Sequence, residues 1–179
     1  MRFREDSPYR PGSPYAASKA SSDLLVRAWA RTCGLPATIS NCCNNYGPLQ
    51  NEEKFIPAAI ESIKRGKHPR LYGDGKNVRD WIHVNDHARA VWTILNEGRL
   101  GETYLIGANC ERSNLEVLQT ILEAMGKPRD FIDWVSDRPG HDRRYAIDAS
   151  KLRRELGRVP IHDDFESGLR GGSSWRERQ

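Results

Sequence analysis

Tyr15 and Lys19 stand four residues apart in "SPYAASKASSD", residues 13 to 23. On a helix, that spacing raises both side chains from one face, a turn apart. An ammonium beside a phenol favours the phenolate and draws a pKa of ~10 down towards the range of a general base. The pair by itself is a weak signal, because Tyr-x-x-x-Lys arises by chance on many helices. Other residues could handle an anion. Arg79 in "NVRDW" carries a fixed fork of donors that meets two phosphate oxygens at once, although an ion pair with Asp74 or Asp80 would also occupy it. Lys54 opens a probable helix, where a lysine is usually solvated. His141 in "DRPGHDRRY" could serve as a general base. Asn44 and Asn45 in "NCCNNYGP" offer amides, but asparagine is common in strand-end turns as well.

The elements that must hold these groups follow from periodicity and punctuation. Pro8, Pro11, Gly12 and Pro14 break the first dozen residues into a loop. Leu24, Leu25, Ala28, Trp29 and Cys33 then recur at helical spacings, and Gly34 suits the position past the helix end. "LPATISNCC" reads as a strand, and "NNYGP" as the turn that closes it. Phe55, Ile56, Ala59, Ile60 and Ile63 share a helical face, with Pro57 in the first turn and Gly66 as the stop. "PRLYGDGKNVRDWIHV" predicts two short strands around a Gly-Asp-Gly turn. Asn85 or Asp86 would cap the next helix, which ends near Gly98. "ETYLIG" is another strand, Ser113 and Glu116 form a capping box for the helix that follows, and "SKLRRELG" is a later helix ending at Gly157. Strands alternating with helices predict an α/β fold.

Composition narrows the function classes. The chain has 179 residues, 37% of them hydrophobic, enough for a core. No run of 18 apolar residues occurs and "MRFREDSPYR" lacks the apolar stretch of a secretory signal, so a cytoplasmic protein without a membrane partner is expected. The net charge of +4 is spread along the chain, which favours a small anionic ligand slightly and argues against nucleic acid. Cys33, Cys42, Cys43 and Cys110 show no C-x-x-C spacing, so no metal site or disulfide is expected and the four read as small buried residues.

Taken in order, "SPYAASKASSD", "GLP", "NCCNNYGP", "EKFIP", "LYGDGKNVRDWIHVNDHARA" and "DRPGHDRRYAIDASKLRRELG" resemble the extended short-chain dehydrogenase/reductase superfamily, and within it the dTDP-glucose 4,6-dehydratase family of lyases. The resemblance runs from about Ser13 to Gly168. It implies a Rossmann-type NAD-binding fold with a nucleotide-sugar domain, NAD as cofactor, dTDP-glucose as substrate in deoxysugar (rhamnose) biosynthesis, and a homodimer. It also implies the division of the chain: residues 1–47 as the last part of the NAD-binding domain, 48–168 as mainly the substrate domain with segments returning to the Rossmann core, and 169–179 as an irregular tail. Under the resemblance Tyr15 is the base acting on the sugar C4 hydroxyl, and Lys19 holds the nicotinamide ribose and tunes Tyr15. Asn45 lies on the cofactor side. Asn44, Lys54, Phe55, Arg70, Leu71, Tyr72, Arg79, Asp137, Arg138 and His141 contact the nucleotide sugar, with Tyr72 beside the base and Arg79 on the diphosphate.

Two positions depart from the family pattern: Arg70 replaces a proline, and Cys110 replaces an asparagine near the nucleotide. The glycine-rich dinucleotide turn is nowhere in these 179 residues, and neither Glu5 nor Asp6 matches the Asp-Glu pair that removes the C5 proton and protonates the C6 hydroxyl. The expectation is therefore a C-terminal piece of such an enzyme, inactive alone, with exposed sheet edges and an apolar face. The apolar surface of "SDLLVRAWART" would go partly to the dimer contact or to ordinary core. Two alternatives share the Tyr-Lys pair or the binding residues: a UDP-sugar epimerase or decarboxylase, and a non-catalytic nucleotide-sugar-binding module.

Overall fold

The Ser13 hydroxyl oxygen accepts the Ala16 N–H at 3.1 Å and opens helix α1 (Pro14–Cys33). Pro14 is favourable in the first turn, where its missing N–H would have had no helical partner. The helix stops at Gly34, whose φ of 68° is the left-handed conformation that a side chain disfavours. These come from a computed structural model that describes residues 2–162 and 164–170; of the expected tail at 169–179, residues 169–170 belong to a helix and 171–179 lie outside the described residues.

Strand β1 (Ile39–Cys42) pairs in parallel with β5 (Thr103–Ile106), Ile39 opposite Thr103. The predicted turn after Cys43 is instead strand β2 (Asn44–Tyr46), parallel to β4 (Val78–His83) with Asn44 opposite Trp81. Its Asn-Asn-Tyr-Gly-Pro composition is that of a turn, but the partner strand supplies the backbone hydrogen bonds that override local preference. The chain turns only at Gly47, φ 148°. Helix α2 (Phe55–Lys64) follows, then β3 (Arg70–Tyr72), which leaves the main sheet to pair in parallel with β7 (Asp133–Val135). Strand β6 (Glu111–Ser113) runs antiparallel to β4, and β8 (Arg144–Tyr145) runs parallel to it. Helix α4 (Asn114–Ala124) begins with the expected capping box, in which Ser113 and Glu116 each satisfy the other's backbone N–H. Helix α5 (Ser150–Leu156) ends at Gly157 as predicted.

Helix α3 (Val84–Glu97) is capped differently from expectation. His83 is the cap, its Nδ1 accepting the Asn85 N–H, while Asp86 sits inside the first turn. Asp86 is needed elsewhere: its buried carboxylate accepts the backbone N–H of His162 at 2.9 Å and of Ile161 at 3.2 Å, and pairs with Arg89 at 3.1 Å. This tether positions helix α6 (Phe165–Arg170), whose Phe165 ring lies 4.8 Å from that of Tyr46 and 6.1 Å from that of Trp81.

Two hydrophobic cores result. One gathers Tyr46, Ile56, Leu71, Trp81, Leu118 and Phe165; the other gathers Cys43, Ile82, Ile94, Tyr104, Ile106 and Leu152. Helix α1 joins neither. None of its residues is buried, and Leu24, Leu25 and Trp29 are more than half exposed. Polar ties hold it: Tyr9 Oη and Asn41 Nδ2 donate to Asp23 at 2.9 and 2.8 Å, and Arg27 donates to Thr103 Oγ1 at 2.8 Å. Cys33 is exposed, against the expectation of four buried thiols; the open side of α1 leaves nothing over it. Among the described residues no helix is long and apolar enough to cross a membrane.

Phe165→Ala removes the ring on which Tyr46 and Trp81 rest and should cost about 3–5 kcal/mol of stability, measured by urea unfolding. Burial alone would raise the Asp86 pKa, but the N–H groups of His162 and Ile161 hold it below the ordinary carboxylate value. Its contribution is therefore present above about pH 4 and lost as pH falls through the folded value. Asp86→Asn should lower the urea midpoint at pH 7 and flatten its fall in acid.

Candidate functional site

A cleft of about 1110 Å³ opens on the side of the first core. Asn44 of β2, Lys54 and Phe55 at the start of α2, and Arg70, Leu71 and Tyr72 of β3 line it. Arg79 of β4 and, from the loop between β7 and β8, Arg138 and His141 complete the set. Every substrate residue expected from sequence therefore reaches the cleft except Asp137. That carboxylate is exposed and accepts His141 Nδ1–H at 2.6 Å and the Arg138 N–H at 2.9 Å. The His141 ring beside it holds the Asp137 carboxyl below its ordinary pKa. Asp137 thus orients His141, whose side chain is only 6% exposed.

Arg79 is the group with most to gain from a ligand. Its Nη1 donates to the Val78 carbonyl at 2.8 Å, and among the described residues no carboxylate lies within ion-pair distance of it. The two acids that could have taken it are engaged: Asp74 pairs with Arg143 at 2.7 Å, and Asp80 is fully buried, accepting the Cys110 N–H at 2.8 Å. Burial pushes the Arg79 pKa down, with Asp142 partly offsetting it. A half-buried cation with no carboxylate in direct contact is costly, and an anion in the cleft relieves that cost.

Sequence reasoning passed over other lining residues, among them Lys67, His68, Asn114 and Asp133. Trp81 also lines the cleft, and its indole N–H is buried with no acceptor among the described residues. Trp81, inside "NVRDWIHV", and the lining residue Glu53, inside "EKFIP", sat in motifs already singled out. Asp133 lies in a three-residue strand that no local pattern announces.

The expected cofactor residues lie apart from this lining. Tyr15 is 74% exposed on α1, and Lys19 is exposed one turn further along. Asn45 donates through Nδ2 to Cys42 Sγ at 3.5 Å, while its Oδ1 is buried without a partner among the described residues. Burial raises the Cys42 thiol pKa, and Asn45 and the charge of Lys19 oppose the rise. The orphaned Asn45 oxygen fits a ligand edge rich in donors, as the amide and ribose hydroxyls of a nicotinamide nucleotide are.

Parallel strands flanked by helices, with a cation-lined cleft at one end of the sheet, are the fold of the NAD-binding extended short-chain dehydratases and epimerases. The chain belongs to the GDP-mannose 4,6 dehydratase family, whose model matches residues 1–170. It is 60% identical to the dTDP-glucose 4,6-dehydratase of Mycolicibacterium smegmatis over 97% of this chain and 53% of that protein. The crystal structure of dTDP-glucose 4,6-dehydratase from Bacillus anthracis str. Ames in complex with NAD superposes with a TM-score of 0.94 at 45% identity, over 100% of this chain and 57% of that one. UDP-glucose 4-epimerase from Thermotoga maritima, solved with UDP-glucose, superposes at 0.86 and 27% identity, over 94% and 54%. The chain spans about half the length of the curated relatives it matches.

The thiols report on the packing around β1. With a small alkylating agent at pH 8, Cys33 should label first, half-buried Cys42 later, and Cys43 last, because burial raises its thiol pKa most. Peptide mass spectrometry gives the order, and early labelling of Cys43 would contradict the packing of β1 and β5.

Proposed function

We propose that this chain supplies the nucleotide-sugar cleft and the Tyr-Lys pair of a cytoplasmic, homodimeric, NAD-dependent dTDP-glucose 4,6-dehydratase. Residues 1–47 would belong to its cofactor domain and 48–168 mainly to its substrate domain. The observation that carries this reading is the convergence of Lys54, Arg79 and Arg138 with Tyr72 and His141 in one cleft, around a guanidinium with no carboxylate at ion-pair distance among the described residues. The 60% identity to a dTDP-glucose 4,6-dehydratase favours that substrate over the UDP-sugars of the epimerases and decarboxylases. Those enzymes and a binding module without catalysis are the competing readings.

In this reading Arg79 takes the diphosphate through its donor fork, with Lys54 and Arg138 adding positive charge. Asn44 and His141 hydrogen-bond the bound molecule, and Asp137 fixes the ring of His141. Lys19 would hold the nicotinamide ribose, and the Asn45 oxygen would accept a hydrogen bond from the same end of the cofactor. When bound, NAD supplies reversible hydride transfer with the sugar. Tyr15, as phenolate, receives the C4 hydroxyl proton, and the neighbouring Lys19 charge favours that ionised form. Removal of the C5 proton and protonation of the departing C6 hydroxyl need a carboxylate and an acid that no motif of this chain provides, so the chain by itself should bind nucleotide without completing turnover.

Titration calorimetry tests the reading. The chain should bind dTDP, and Arg79→Ala should weaken binding at least about tenfold, or about 1.4 kcal/mol. Arg79→Lys should lie between, since it keeps the charge but loses the fork. Failure of the unaltered chain to bind dTDP would sink the proposal, and formation of the 4-keto-6-deoxy product by the chain with NAD+ alone would overturn the division of roles.

A further inference from the structure

The parallel pairing of β3 with β7 puts two opposite charges on one wall of the cleft. Arg70 and Asp133 are register partners, so their side chains leave the same face of the small sheet. Tyr72 follows Arg70 by two residues and shares that face. All three line the cleft and all are accessible, with Tyr72 39% exposed and the Arg70 and Asp133 side chains 72% and 50% exposed. Arg70 Nε and Asp133 Oδ2 are 3.8 Å apart, attracting each other without a direct hydrogen bond. The pair therefore offers an acceptor next to a donor, at the edge of an aromatic surface on which a flat ring can stack.

We infer that Arg70 and Asp133 together read the edge of the nucleobase and select keto over amino bases. This rests on the nucleoside-diphosphate reading of the cleft. Thymine and uracil present a ring N–H beside a carbonyl at N3 and C4, and guanine presents the same order at N1 and C6. Asp133 accepts the ring N–H and Arg70 donates to the carbonyl. Cytosine reverses both groups, bringing the N3 lone pair against the carboxylate and an amino group against the guanidinium. Arg70 occupies the position where the resemblance led us to expect a proline, which has no donor, so the pair distinguishes this chain within the family pattern.

UDP and CDP differ only at that edge, which makes them the probes. The unaltered chain should bind UDP at least about tenfold more tightly than CDP by calorimetry, with dTDP following UDP. Asp133→Asn, whose amide can turn either way, should bring the UDP-to-CDP ratio to within about twofold, and Arg70→Ala should reduce it as well. Equal affinity for UDP and CDP in the unaltered chain, or an unchanged ratio in both variants, overturns the inference while leaving dTDP binding and the proposed function intact. Absence of binding by dTDP and UDP alike removes the nucleotide-sugar reading, and this inference with it.

Discussion

Strand β4 is where the two cores and the cleft meet. β2 pairs with its second half and β6 with its first, so its backbone is held on both edges and its side chains cannot slip by a residue without exchanging faces. Trp81 enters one core and Ile82 the other. The same alternation sends Arg79 into the cleft and Asp80 into the interior, where it accepts the Cys110 N–H at the point where the chain passes from β5 to β6. A single register thus places the cation that faces the cleft and the buried acid that braces the crossing between sheets.

The helices are legible in the sequence because their signals are local: Ser13, Gly34, Ser113 with Glu116, and Gly157 each act within one turn of the chain. Strands depend on partners, and that is where the reading fails. Asn44–Tyr46 has the composition of a turn and becomes a strand only because β4 lies beside it. The cap at α3 fails for a related reason. Asp86 is a good capping residue in isolation, but the backbone of 161–162 claims its carboxylate from 75 residues away, and His83 caps instead.

The cleft shows the same division. Arg79, Tyr72 and His141 were found through the order of motifs, not through any local chemistry, since each has an ordinary structural use. Asp137 sits within a matched motif yet does not line the cleft; its carboxylate takes the hydrogen bond from His141, which does. Asp133 was invisible: its importance comes from a partner 63 residues earlier, across a pairing that joins two three-residue strands. Strands of three residues carry almost no periodic signal.

The open position of α1 has an energetic meaning for the proposed base. A helix with no buried residue gains little free energy from packing and is among the first parts of a fold to open locally. Tyr15 and Lys19 ride on that helix, whereas Asn44, Phe55, Leu71 and Arg79 of the cleft ride on strands and a helix that enter a core. Whatever covers Leu24, Leu25 and Trp29 would suppress those openings and narrow the ensemble of Tyr15 positions. Occupancy of that distant face and the basic competence of the phenol would then be thermodynamically linked, with the helix as the shared element.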